Sequence, residues 1–138
     1  MSTDRPRLYY DISGPEDAPL LVLGPSLGTS LALWDPYVGF LTEEFRILRY
    51  DLPGHGASPT QVLEDPLPGR TTVADLADLV LALVHEQGRE SFAYAGVSLG
   101  GAIGTQLALA HPDRISALAL LCSGAACTRA GCRSGWSA

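Results

Sequence analysis

Apolar and polar positions along this chain follow two rhythms: short unbroken apolar runs, and longer stretches with helical spacing. Residues 7–12 have strand character and stop at Ser13-Gly14-Pro15. Residues 20–23 are continuously apolar, as expected of a strand buried on both faces. Trp34, Val38 and Leu41 stand at helical spacing and predict a helix over residues 35–44. Residues 46–50 form the next strand, which ends at Asp51. Residues 52–58 read as loop, and residues 59–69, with three prolines, as an exposed excursion.

A strong helix follows. Thr72 is its cap, and Asp75 completes a capping-box-like pair with Asp in place of the usual Glu. Leu76, Leu79, Val80, Leu83 and Val84 form its apolar stripe, and Gly88 stops it. Residues 91–95 predict a strand, residues 99–110 a helix ended by Pro112, and residues 115–121 a last strand. This alternation predicts an α/β fold: a mainly parallel sheet with helices on both faces. Ligands of such sheets bind at the carboxyl ends of the strands. Ser26, Asp51, His55 and Ser98 all fall there.

Between the fourth predicted strand and its helix lies Gly96-Val97-Ser98-Leu99-Gly100, followed by Gly101. A G-x-S-x-G at a strand-to-helix turn is the pattern of a nucleophile elbow, which lifts a serine above the sheet edge. The chain contains its own control. Gly24-Pro25-Ser26-Leu27-Gly28 also matches and also follows an apolar run. After Gly28, however, the sequence runs to Asp35-Pro36, and proline disfavours helix for the residue before it. After Ser98 come small residues that let a helix pack closely on a sheet. Ser98 is therefore the predicted nucleophile and Ser26 is not.

Composition narrows the partners. The net charge is −6, which argues against nucleic acid. No signal-peptide pattern opens the chain, and no apolar stretch is long enough for a bilayer, so a soluble, cytoplasmic protein without membrane association is expected. Cys122, Cys127 and Cys132 have a spacing foreign to zinc sites, so no metal is predicted and free thiols are expected. No G-x-G-x-x-G occurs: Gly54-His55-Gly56 begins one, but Pro59 takes the third glycine position. No nucleotide or other cofactor is predicted.

Three blocks make the chain resemble the N-terminal part of an α/β-hydrolase. They are the Ser98 elbow, Asp51-Leu52-Pro53-Gly54-His55-Gly56-Ala57-Ser58, which looks like the family's D-x-x-G-H-G-x-S turn, and Ala110-His111-Pro112-Asp113-Arg114-Ile115 at the end of the elbow helix. Residues 25–35 and 46–51 look most like 3-oxoadipate enol-lactonases, enzymes of aromatic-compound degradation. These loops are shared with carboxylesterases and cofactor-free haloperoxidase-like members. The resemblance covers roughly residues 7–124. Where the family often has His-Gly after the first buried strand, Gly24-Pro25 stand here. The resemblance implies a small ester or lactone substrate, Ser98 as nucleophile, and backbone oxyanion donors at Leu99 and at Ser26 or Leu27. Pro25 has no N–H to offer.

The resemblance also implies a triad in the order serine, acid, histidine. The residues after Ser98 hold one histidine, His111, and one acid, Asp113. A helix between Ser98 and His111 separates them by about 20 Å, so His111 reads as a helix-end residue. His85 reads as a solvated helix position. His55 lies at the correct sheet edge; it reads first as part of a glycine-framed turn and second as a substitute base, and Asp51 as the carboxylate that orients that turn. Residues 1–124 are thus expected to be a partial α/β-hydrolase domain and residues 125–138 an irregular tail. The expectation is a truncated enzyme whose last strand leaves a sheet edge uncovered for self-association, or a fragment without catalysis.

Overall fold

The structure is a computed structural model that describes residues 7–63 and 70–123. Five strands form one sheet: β1 (Tyr10–Ser13), β2 (Leu20–Gly24), β3 (Arg46–Tyr50), β4 (Phe92–Val97) and β5 (Ile115–Leu121), in the order β1-β3-β2-β4-β5. β1 runs antiparallel to β3, and the other neighbours are parallel. Three α-helices lie among the described residues: α1 (Asp35–Leu41), α2 (Val73–Glu86) and α3 (Leu99–Ala110). The α/β class and its mainly parallel sheet are as predicted.

Two boundaries differ for identifiable reasons. β1 begins at Tyr10 rather than at residue 7, because the Tyr9 N–H donates to Ser58 Oγ (2.8 Å) instead of to a strand carbonyl. α1 is preceded by a 3₁₀ turn, Leu31–Trp34, with the Ser30 hydroxyl accepting from the Ala32 N–H. It stops at Leu41, beyond which the Glu43 and Glu44 amides bond to the carbonyls of Phe40 and Leu41, three residues back, and close the helix as turns. Thr72 caps α2 as predicted, with both bonds of the box formed. The C-terminal tail, Cys127, Cys132 and most of the excursion lie outside the described residues; Val62 at the start of that excursion is buried in a short 3₁₀ turn.

Alternation along the strands divides the core into two layers. Leu20, Val22, Leu48, Tyr50, Phe92 and Tyr94 face α2 and α3. Leu21, Leu23, Ile47, Ala93, Ala95 and Val97 face the other side, with Trp34, Val38 and Leu41. Arg49 ties the strands to α1: its guanidinium donates to Asp35 Oδ1 (2.6 Å), Asp11 Oδ2 (3.1 Å) and the Leu31 carbonyl (3.2 Å). β5 closes one side of the sheet. No strand pairs with its outer edge among the described residues, and Leu118, Leu120 and Leu121 are exposed there.

Thr72→Ala removes the acceptor for the Asp75 N–H and dismantles the box. The expected loss is about 1 kcal/mol, read as a fall in Tm of a few degrees, with α2 still formed by circular dichroism.

Candidate active site

The parallel strands place the ends of β2, β3, β4 and β5 on one edge of the sheet. β4 ends at Val97 and α3 begins at Leu99, so Ser98 alone makes the connection. It does so at φ 54°, ψ −114°, a conformation that costs a non-glycine residue about 1–3 kcal/mol. The surroundings hold it. The Ser98 N–H donates to the Leu121 carbonyl (2.9 Å), and its carbonyl accepts from Ser123 Oγ (2.6 Å) and the Ala102 N–H (3.1 Å). The Ser98 side chain is exposed, and nothing hydrogen-bonds its Oγ among the described residues.

The flanking glycines are required by contact. A Cβ on Gly96 would lie 2.3 Å from the Gly100 carbonyl carbon. A Cβ on Gly100 would lie 2.6 Å from the Gly24 carbonyl group and 2.7 Å from the Pro25 oxygen. The second contact shows that the end of β2 touches the first turn of α3. The structure thereby brings Ser98, Leu99 and the loop carrying Ser26 and Leu27 to one place. Leu99 opens α3, where N–H groups have no intrahelical acceptor. In the loop, the Ser26 carbonyl accepts from the Thr29 hydroxyl (2.7 Å) and the Thr29 N–H (3.2 Å), while Leu27 is exposed. No helix follows Ser26 directly, so only Ser98 stands at a strand-to-helix turn.

Asp51 and His55 are organisers of this edge. Asp51 is buried; its Oδ1 accepts from the Leu31 N–H (2.7 Å) and its Oδ2 from the Ala57 N–H (2.9 Å). Its carbonyl accepts from Ser58 Oγ (2.6 Å). His55 Nε2 accepts from the Gly28 N–H (2.9 Å), which leaves the proton on Nδ1, 3.0 Å from the Pro53 carbonyl. Both ring nitrogens are therefore used in joining two loops, which fits the turn reading over a substitute base. His111 caps the far end of α3. His85 is exposed but is not merely solvated, since its Nε2 accepts from the Arg114 guanidinium.

Sequence reasoning missed the residues that hold the elbow from below and behind. Tyr50 and Tyr94 are buried with their hydroxyls 2.7 Å apart, and Tyr94 donates to the Gly100 carbonyl (2.7 Å). Two tyrosines on strands of a sheet expected to be covered by helices on both faces were the available signal, because a buried phenol needs a partner. Ser123 left no comparable trace. Among the described residues, no cluster of histidine, cysteine and acidic side chains is placed to hold a metal ion. No helix there is long and apolar enough to cross a membrane.

A strand–serine–helix elbow on the carboxyl edge of a mainly parallel, helix-covered sheet defines a class of α/β protein. Comparison with known proteins identifies the family: the model described as alpha/beta hydrolase fold matches residues 19–131, and the chain belongs to that family. A protein of Yersinia enterocolitica named as the putative carbamate hydrolase RutD is 36% identical over 113 residues, covering 80% of this chain and 39% of that protein. The 3-oxoadipate enol-lactonase 1 of Acinetobacter baylyi is 32% identical over 131 residues, covering 95% of this chain and 46% of the enzyme. The crystal structure of the enol-lactonase from Burkholderia xenovorans superposes with a TM-score of 0.77 at 39% identity, over 85% of this chain and 44% of that one. The chain thus spans less than half the length of these relatives.

Asp51→Ala should leave the Leu31 and Ala57 amides without acceptors and cost on the order of 3 kcal/mol. His55→Ala frees the Gly28 N–H, on an exposed residue, and the carbonyl of the half-buried Pro53, and should cost less. Chemical denaturation of the two variants checks the order.

Proposed function

We propose that this chain is the nucleophile-bearing part of a serine hydrolase that cleaves an ester or lactone bond, with Ser98 as the nucleophile. The observation that carries the reading is Ser98 held at φ 54° between β4 and α3. Ser98 Oγ would attack the acyl carbonyl and form the new C–O bond. The oxyanion would accept hydrogen bonds from the Leu99 N–H and from the Ser26 or Leu27 N–H. Collapse expels the alkoxide or enolate, and water then releases the acid and restores Ser98.

Such a mechanism needs a base for the serine proton and an acid behind it. His55 is committed to its two loops, His85 is engaged by Arg114, and His111 caps the far end of α3. The triad partners of this reading therefore come from outside the described residues. The enol-lactonase relatives support a cyclic enol ester as substrate. The Yersinia protein named for carbamate hydrolysis, 36% identical against 32% for the Acinetobacter enol-lactonase, supports carbamate as a second reading. Both are acyl transfers to water at the same serine.

A fluorophosphonate probe should label the folded chain slowly, since none of its three histidines is placed as the base for Ser98, and Ser98→Ala should lose even that label. Labelling that survives Ser98→Ala, or none in folded protein, overturns the assignment. Protection of Ser98 by an enol-lactone and not by a carbamate selects the first substrate class, and the reverse selects the second.

A further inference from the structure

Tyr94 occupies an unusual groove. Its ring runs beneath α3, where a Cβ on Gly104 would lie 2.5 Å from Tyr94 Cδ1. Its hydroxyl reaches the Gly100 carbonyl, one turn earlier (2.7 Å). A carbonyl can only accept, so the single phenolic proton of Tyr94 is committed to Gly100. The Tyr50 hydroxyl, 2.7 Å away, must then donate to the Tyr94 oxygen. Burial pushes the pKa of both phenols well above the ordinary tyrosine value, which keeps both protons in place.

The same two hydroxyls touch the end of β2. A Cβ on Gly24 would lie 2.1 Å from Tyr94 Oη and 2.8 Å from Tyr50 Oη. Gly24 in turn abuts Gly100. The phenol pair, the last residue of β2 and the first turn of α3 therefore share one contact. That turn needs an external restraint. Gly100 and Gly101, with Gly104 one turn on, give this part of α3 the weakest helix preference among non-proline residues.

We propose that Tyr94, backed by Tyr50, is a positioning residue for the elbow. By holding the Gly100 carbonyl against the end of β2, it fixes the Leu99 N–H relative to the loop of Ser26 and Leu27. This rests on the serine-hydrolase reading of Ser98 and adds to it a device that sets the spacing of the two oxyanion donors. Neither phenol touches the substrate.

The test compares Tyr94→Phe, Tyr50→Phe and Val80→Ala, the last an α2 substitution in the same apolar core that removes no side-chain hydrogen bond. Fluorophosphonate labelling is followed as a function of probe concentration, and amide hydrogen exchange over residues 99–104. Tyr94→Phe should lower the limiting labelling rate about tenfold with the half-saturating concentration unchanged, and should speed exchange in that segment. Tyr50→Phe should do the same to a smaller extent. Val80→Ala should lower Tm without slowing labelling below the transition. Unchanged labelling and exchange in Tyr94→Phe overturn the proposal, as does equal slowing in Val80→Ala. Folded wild-type chain that takes no label overturns the hydrolase reading and the donor-spacing role with it. Exchange then still decides whether Tyr94 restrains the turn.

Discussion

The edge of the sheet is organised by a lack of room. Where α3 begins, three backbone segments meet: the end of β4 at Gly96, the first turn of α3 at Gly100, and the end of β2 at Gly24. Any side chain at Gly96 or Gly100 would overlap backbone atoms at 2.3 to 2.7 Å. Backbone is far less able to yield than the end of a flexible side chain, so the contact is an all-or-none condition on the sequence. Once it is met, the one-residue connection through Ser98, the direction of α3 and the approach of the β2 loop follow from it.

A second kind of constraint shapes the loops around that contact. They have few apolar groups to bury, so acceptors gather them instead. The Asp51 carboxylate collects amides from Leu31 and Ala57. The His55 ring bridges Gly28 to Pro53. Arg49, on the strand just before Asp51, does the complementary task with its donors toward Asp11, Asp35 and the Leu31 carbonyl. Arg49 and Asp51, two residues apart at one strand end, thereby reach β1, the start of α1 and two loops. The apolar core sets where the strands lie, and these polar groups set how the chain turns between them.

Much of this was legible in the chain. Strand alternation and the Thr72–Asp75 cap have strong local signals, and the predicted elements match closely in the interior of the fold. The contrast between Ser98 and Ser26 was readable from the small residues that directly follow Ser98; Pro36 was a poorer guide, because Asp35 before it is helical and opens α1. What escaped notice depends on distance along the chain. β1 starts late because of Ser58, 49 residues beyond Tyr9. Tyr50 and Tyr94 pair across 44 residues. Ser123 holds Ser98 from 25 residues away. A pattern within a window of ten or fifteen positions carries no trace of such partners. For His85, helical position alone indicated exposure, and the bond from Arg114 needed the fold.

Ser98 also bears on how stability is distributed in this molecule. Its backbone stands at a positive φ that glycine would adopt without penalty. The hydroxymethyl group is exposed and adds no burial to compensate. A chain refined for folding alone would relax at this point, and here it does not. Strain that yields no packing and is maintained from three sides locates a demand on the structure that is separate from the demand to be stable.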